Sequence, residues 1–393
     1  MNVLLVYPEF PDTFWSFRHA LKFINKRSVS PPLGLLTIAS MFPPNWQARL
    51  VDTNVARLKE RDIAWADIVF DSGMAVQRHS VHEIIARCKS LGKTIAAGGP
   101  LFTMEYEQFP LVDHFILNEG ELTFPKFLED FSAGHPHKLY RSHEYADLSQ
   151  TPVPRWELAK LNRYSTVDVQ FSRGCPYHCD FCNVTALLGH KPRTKSVAQI
   201  IAELDHLYAL GYRGSVFFVD DNFIGNKNLI KRDLLPALIR WRERKVGFNF
   251  STEISINVAD DDSLIQLMAD AGFTQVFIGI ETPDIDSLAE CSKKQNINRN
   301  LIEDVRKLQR SGIQVQGGFI VGFDSDSPTI FQQQIDFIQK SGIVTAMVGL
   351  LQAPPGTRLF ERLKQEGRLV DQISGNNVDG STNIIPMMGI ELL

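Results

Sequence analysis

The 393-residue chain has little of what marks several large protein classes. It has no apolar run near the ~20 residues of a membrane span, no basic tract and only five cysteines. Lys and Arg number 41 against 45 Asp and Glu, for a net charge of −4. That balance leaves no electrostatic footprint for nucleic acid, so neither nucleic acid nor a membrane span is expected. Residues Met1–Phe10 carry neither the basic region nor the small-residue cleavage site of a secretory signal. A cytoplasmic location is expected. Cys175, Cys179 and Cys182 fall close together, while Cys88 and Cys291 stand apart. An odd count with one tight cluster makes a poor disulfide framework. In a chain of this kind, clustered thiols bind metal or do redox chemistry.

What is present is a regular alternation of strand and helix signals. In the first ~135 residues, short apolar runs at Asn2–Tyr7, Gln47–Asp52, Asp67–Asp71, Lys93–Ala97 and Asp113–Leu117 predict strands. Helical patterns at Leu33–Met41 and Val81–Leu91 lie between them. This is an α/β, Rossmann-like domain over 1–135, whose ligand end lies beyond the strand C-termini. No G-x-G-x-x-G follows the first strand, so a nicotinamide site is unsupported. Polar, proline-containing residues 136–160 predict a linker. Residues 161–355 hold six strand candidates: Val167–Arg173, Ser215–Asp220, Gly247–Glu253, Gln275–Glu281, Gln314–Val321 and Val344–Leu351. Helical patterns separate them, and Gly211, Gly272 and Gly312 are expected left-handed C-caps. Six βα units predict an open, partial (β/α)6 barrel with chemistry at its C-terminal rim. Residues 356–393 form a C-terminal extension, with a loop over Asp371–Thr382 and helix-like residues Ile390–Leu393.

The central motif is Gly174-Cys175-Pro176-Tyr177-His178-Cys179-Asp180-Phe181-Cys182, a C-x3-C-x2-C spacing right after the first barrel strand. Three thiolates on one short loop can converge on one inorganic centre. Three readings are open: a [4Fe–4S] cluster with one iron left free, a zinc site completed by His178 or His190, or unligated cysteines in a buried loop.

The cysteine spacing, with Phe181 before the last thiol, resembles the signature of radical S-adenosylmethionine enzymes. The resemblance implies a [4Fe–4S] cluster on Cys175, Cys179 and Cys182, whose open iron binds S-adenosylmethionine and cleaves it reductively to a 5′-deoxyadenosyl radical. Further positions carry over. Asp220, Asp221 and Asn222 match the region that receives the methionine amino group, against a plain strand-closing turn. Glu281 matches a ribose or carboxylate contact, with Glu253 as a weaker case. Gly318 and Gly322, in Gly318–Gly322, match a glycine-rich stretch beside the adenine. Asp324 and Asp326 flank the position where the family often has an acidic residue and this chain has Ser325.

The N-terminal domain is similar to the cobalamin-binding domain of the B12-dependent subgroup. Tyr7-Pro8, Pro31–Gly34, Gly98-Gly99-Pro100 and Glu119-Gly120-Glu121 stand where that subgroup has similar motifs. No D-x-H-x-x-G occurs, which implies cobalamin held without a protein imidazole on cobalt. The resemblance implies a C-methyltransferase, most like the hopanoid C-2 methylase branch, acting on an unactivated carbon of a lipid-like or polycyclic substrate. A one-electron reductant such as flavodoxin or ferredoxin is its implied partner. The alternatives are an oxidative cyclase or other B12-dependent radical enzyme, a non-catalytic cobalamin or iron–sulfur sensor, and a zinc-binding module. The chain is further expected to be shorter than its nearest relatives, with an open barrel mouth. Among the remaining residues, Cys88 is expected in the core and Cys291 at the surface. Phe10, Phe14, Trp15, Phe17 and Phe23 are expected either in the core or along a ligand channel.

Overall fold

The computed structural model describes residues 1–370, 374–376 and 379–393. It divides into two compact units, Met1–Asp168 with Ala202–Tyr212, and Val169–Ile201 with Arg213–Leu393.

The first unit holds a six-stranded parallel sheet of β1 (Asn2–Tyr7), β2 (Gln47–Asp52), β3 (Ile68–Ser72), β4 (Thr94–Gly98), β5 (His114–Ile116) and β6 (Leu139–Tyr140), in spatial order 2-1-3-4-5-6. Such an order reverses direction beside β1, where doubly wound sheets open a ligand crevice. Alternate strand residues point to opposite faces. Leu4, Val6, Val69 and Ile95 pack with the helix Arg78–Ser90, while Val3, Leu5, Phe70 and Ala96 pack with Phe124 and Phe127. Full burial on both faces explains the near-continuous apolar strands. Cys88 is buried in the first of these clusters, as expected. One expectation fails here. Within the linker expected over 136–160, Leu139 and Tyr140 pair with β5 as a sixth strand. Two residues are too few to show a period in sequence.

Asp71 is the odd member of this core. It lies on β3, is 2% exposed, and neither carboxylate oxygen has a hydrogen-bond partner. Burial pushes its pKa up to about 8. A raised carboxylate pKa favours the fold most at pH below its unfolded value, near 4. That contribution is lost as pH rises from about 4 to about 8, because only the unfolded chain ionises across that window. Asp71→Val, which is larger by roughly one methylene and removes the buried acid, is therefore expected to stabilise the protein by an amount that grows with pH. The gain reaches the order of a few kcal/mol at pH 8. Urea titrations at pH 5 and pH 8 measure it, and an equal gain at both would count against a buried, protonated Asp71.

β7 (Thr166–Val169) spans the boundary at Asp168, and the second unit holds a short antiparallel pair of β8 (Ser172–Arg173) and β9 (Arg193–Thr194), and then β10 (Gly214–Phe218), β11 (Phe248–Glu253), β12 (Phe273–Glu281), β13 (Gln314–Val321) and β14 (Thr345–Leu350). The main sheet runs 14-13-12-11-10-7, in sequence order and open-edged. This is the expected six-stranded partial barrel. The strand read over Val167–Arg173 is split at Gln170-Phe171, because β8 leaves the sheet to pair with β9. Gly211, Gly272 and Gly312 all have positive φ, as expected of C-caps. A helix at Ile285–Glu290 was not read from the sequence.

The C-terminal stretch packs onto this unit. The helix Arg358–Gln365 places Leu359 and Leu363 in a cluster with Phe323, Leu351, Cys291 and Ile384. Of the loop expected over Asp371–Thr382, residues 371–373 and 377–378 lie outside the described residues. Residues 390–393 form a turn and not the start of a helix. No helix among the described residues is long and apolar enough to cross a membrane.

Candidate active site

The cysteine loop is pinned by its own backbone. Gly174 has φ +94°, and a Cβ there would sit 2.8–3.2 Å from the carbonyl oxygens of Lys191, Gly189 and Leu188. Only glycine turns the chain there without a clash. Cys175 N donates to Gly189 O at 3.2 Å, Cys182 N to Cys179 O at 3.1 Å, and Asp180 N to Cys291 O at 3.0 Å. Leu359 N donates to Asp180 O at 3.0 Å, tying the C-terminal helix to the loop. Phe181 packs into the same apolar cluster, its ring 6.3 Å from Phe323. Cys175, Cys179 and Cys182 are free thiols, each partly exposed. Burial pushes Cys182 up to about 12 and raises Cys175, while Lys293 pulls both down.

Lys293 is the feature that sequence reasoning missed. Its side chain is 12% exposed and pairs with Glu281 at 2.5 Å. Burial works against its charge, yet Glu281, Cys179 and Cys182 hold its pKa above the ordinary lysine value. The backbone is shaped for this pair. β12 slips register against β13 between Gly279 and Glu281. Glu281 itself has φ +65°. A Cβ on Gly279 would fall 2.2 Å from Glu281 Oε1 and 2.9 Å from Lys293 Nζ. Asn296 Nδ2 donates to the carbonyls of Gly279 and Ile280, each at 3.0 Å, and holds the bulge. Bulges and left-handed non-glycine residues gather where a side chain must be aimed. Beside Lys293, Gln295 Nε2 lies 3.7 Å from Cys179 Sγ, and its buried Oε1 has no partner.

The carboxylates at the strand ends separate into two roles. Asp220 is fully buried and accepts hydrogen bonds from Phe171 N, Ser172 N and Ser172 Oγ. It holds the strand that feeds the cysteine loop, so its oxygens are already engaged. Asn222 is likewise turned inward, accepting from Ser255 N at 3.2 Å and from Ser255 Oγ at 3.3 Å. Asp221 keeps a buried Oδ2 with no partner. Glu253, at the end of β11, is half-buried. Burial, helped by Asp221 and Asp220, pushes Glu253 up to about 8, and burial pushes Asp221 to about 6. Asp221 and Glu253 are thus the free acceptors for a cationic group, with Lys293 as the facing cation.

On β13, Gly318 lies against the Phe277 ring, where a Cβ would come within 2.6 Å. Gly322 has φ +104° and donates its N–H to Asp326 Oδ2 at 2.8 Å. Asp326 also accepts from Ser287 Oγ at 2.8 Å, and so serves the backbone. Asp324 accepts from Arg362 and Arg368 of the C-terminal extension at 2.7 and 2.5 Å. Neither flanking acid is free in the way an adenine contact needs. Cys291 departs from its expected place: it is buried, with Sγ donating to Leu288 O.

In the first unit, the residues matched to a cobalamin site lie at the C-terminal ends of β1, β4 and β5. Pro8 O accepts from Gln77 Nε2 at 2.5 Å and Asn54 Nδ2 at 3.0 Å, and Tyr7 O from Thr53 N at 2.9 Å. Gly98 is required by the sheet itself, since a Cβ would sit 2.6 Å from Ile116 O. Gly99 has φ +89°, and a Cβ would meet Ser72 Oγ at 2.5 Å. Glu119 turns inward, accepting from Ala146 N at 2.5 Å. Gly120 lies against Ile38. Asn118, with φ +64°, keeps a buried Oδ1 that has no partner. The glycines answer to the fold itself, and the orphaned Asn118 acceptor is the group that fits a polar ligand at this end of the sheet.

The cysteine loop fits an iron–sulfur cluster by its donor chemistry. Three free thiols share one loop, a cation faces them, and the raised carboxyls of Asp221 and Glu253 lie at the adjoining strand ends. The zinc reading needs a tight tetrahedral set. His178 and His190 stack at 4.1 Å beside Cys179 and Cys182. No group of three or more His, Cys, Asp or Glu among the described residues, the three cysteines included, is gathered tightly enough to hold a metal ion, so the family match and not this spacing decides between zinc and a cluster.

Comparison with known proteins agrees with this geometry. The Radical SAM superfamily matches residues 169–338, and a domain of unknown function, DUF4070, matches residues 357–393. An uncharacterized methyltransferase of Synechocystis sp. is 44% identical over 395 residues, covering 100% of this chain and 74% of the relative. Hopanoid C-2 methylase of Rhodopseudomonas palustris is 38% identical over 386 residues, covering 96% of this chain and 73% of the relative. Among solved structures, the cobalamin-dependent S-adenosylmethionine radical enzyme OxsB shares the fold with a TM-score of 0.72 at 18% identity. That match covers 96% of this chain and 63% of OxsB. The radical S-adenosylmethionine methyltransferase TsrM of Kitasatospora setae matches with a TM-score of 0.69 at 15% identity, over 94% of this chain and 79% of TsrM. The three-cysteine loop on a partial barrel and the whole-length likeness converge: this chain is a radical SAM enzyme and belongs to the radical SAM superfamily, in the family that includes hopanoid C-2 methylase.

Proposed function

We propose that the chain is a cobalamin-dependent radical C-methyltransferase acting on an unactivated carbon of a polycyclic, lipid-like substrate. The observation that carries this reading is the cysteine loop faced by the Lys293–Glu281 pair, in a chain 38% identical to hopanoid C-2 methylase. When bound, the cluster, S-adenosylmethionine and cobalamin would supply one-electron reduction, a hydrogen-abstracting radical and a transferable methyl group. The protein's part is to hold and to seclude. Cys175, Cys179 and Cys182 would ligate the cluster. Asp221 and Glu253 would accept from the methionine amino group, and Lys293 would donate to its carboxylate. Glu281, already paired with Lys293, would keep that ammonium charged and aimed. Phe181 and Phe323 give the loop an apolar backing that limits water. On the first unit, the edge at Gly98, Gly99 and Asn118 would support cobalamin through polar contacts without an axial histidine. The reductant would be a one-electron carrier of the flavodoxin or ferredoxin kind, and the location cytoplasmic with peripheral membrane contact.

The test uses protein reconstituted anaerobically with iron, sulfide and cobalamin. It is given a one-electron reductant such as reduced flavodoxin, a polycyclic triterpenoid in detergent micelles and S-adenosylmethionine bearing a deuterated methyl group. The expected result is a product heavier by one labelled methyl, formed with both 5′-deoxyadenosine and S-adenosylhomocysteine. An oxidised or cyclised product without the label would favour an oxidative cyclase. Bound cofactors with no cleavage of S-adenosylmethionine would favour a sensor.

A further inference from the structure

The loop after β1 is built to present apolar side chains outward. Two single 3-10 turns, Phe14–Ser16 and Lys22–Ile24, flank the short helix Arg18–Leu21. Two non-glycine residues in left-handed conformation mark the bends, Phe17 at φ +45° and Asn25 at φ +54°. A bulky residue rarely adopts this backbone, so the surroundings must hold it there. They do. Leu21 is buried as an anchor. Arg27 N and Ser28 N donate to Arg163 O, and Lys26 Nζ donates to Asn162 O. Between these fixed points stand Phe23, 92% exposed, and Ile24, 58% exposed. Phe23 is the most exposed large apolar side chain among the described residues. The expectation that it lies in the core or a channel is thereby corrected. Trp15, also exposed, stands edge-on to Phe14 at 5.1 Å.

The fringe of this tip is cationic. Arg18, His19, Lys22 and Arg27 are exposed. Asp12 lies 4.0 Å from Arg18 and 3.5 Å from His19, and Lys22 and Arg27 have no acidic partner among the described residues. An outward phenylalanine and isoleucine beside the unpaired Lys22 and Arg27 have little reason to face bulk water. Aromatic and aliphatic tips sit well at the level of lipid headgroups, and lysine and arginine around them are drawn to anionic lipid. An acidic protein partner would satisfy the cations and leave Phe23 needing a pocket, whereas a bilayer takes both without one.

We propose that the loop from Phe14 to Arg27 is a membrane-docking element that inserts Phe23 and Ile24 into the headgroup layer of an anionic bilayer. Its purpose, access to a lipid-like substrate, rests on the function proposed above; its geometry does not.

The test is flotation of the reconstituted holoenzyme with vesicles of phosphatidylcholine, alone or mixed with phosphatidylglycerol. The expected result is binding to the mixed vesicles, weakened by salt. Binding should fall about tenfold or more in Phe23→Asp/Ile24→Asp and less in Lys22→Glu. Circular dichroism and iron content, unchanged in the variants, show that they fold. Failure of the parent to float, or equal flotation of the double variant, overturns the proposal. So does a concentration-dependent dimer lost in the double variant without vesicle binding, because the occupant is then a second copy. Vesicle binding with no methylation of a triterpenoid in micelles would sink the substrate reading and leave the docking element standing.

Discussion

In anaerobically reconstituted protein, Cys179→Ala is expected to carry almost no iron where the parent chain carries about four atoms. Cys175→Ala and Cys182→Ala should do the same, and all three should form no 5′-deoxyadenosine. The reason is the size of the donor set. Each substitution removes one of only three thiols on a loop whose backbone is already fixed by Gly174, Gly189 and Cys291. No other thiol can swing in to replace it. Cys291 makes the most stringent control. It is buried beside the loop, and its carbonyl accepts from Asp180 N. Its thiol, however, donates to Leu288 O at 3.6 Å, within its own helical turn. Cys291→Ser keeps the backbone bond, so iron should stay at the parent level, as it should in Cys88→Ala. Iron and sulfide analysis with the optical spectrum measures all five variants. A full loss of iron in Cys291→Ser would mean that the ligand set has been misassigned.

The sequence makes parts of this site plain for a physical reason. A short loop must carry its three cysteines at close spacing, so the candidate ligands are legible. The strand cores are legible too, because burial on both faces forces apolar runs such as Asn2–Tyr7. Lys293 is not. It lies twelve residues beyond Glu281, past a helix that was not read, and only the bulge at Gly279–Glu281 brings the two together. No local pattern encodes such a meeting. Asp220 and Asp221 show the complementary limit. Adjacent carboxylates past a strand end look alike in sequence, but the chain turns at Asp221, just beyond β10, and the turn sends them to different environments. Asp220 binds the backbone of Phe171 and Ser172, while Asp221 keeps an open oxygen. Gly98 adds a third case. The resemblance matches it to a cobalamin motif, yet the sheet alone already forbids a side chain there.

Lys293→Met is expected to be the most damaging substitution outside the cysteines, and its effects should separate into two. The first is on the fold. Removing the ammonium leaves Glu281, 7% exposed and left-handed at φ +65°, as a buried carboxylate without its counter-charge. Breaking a buried pair from one side costs about 3–5 kcal/mol. Adding Glu281→Gln should recover much of that loss, since the amide carries no charge to strand. The second effect is on ligand binding. Lys293 is the cation that faces Cys175, Cys179 and Cys182, and it is the proposed donor to the methionine carboxylate. The double variant should therefore melt near the parent temperature yet bind S-adenosylmethionine about 10- to 100-fold more weakly. Lys293→Arg keeps the charge but needs more room than Gly279 and Asn296 leave, and should fall between. Thermal melts of the four proteins, with equilibrium dialysis of S-adenosylmethionine on iron-replete samples, measure both effects. If the double variant regained full affinity along with its stability, Lys293 would be a structural partner of Glu281 alone, with no hand in holding the cofactor.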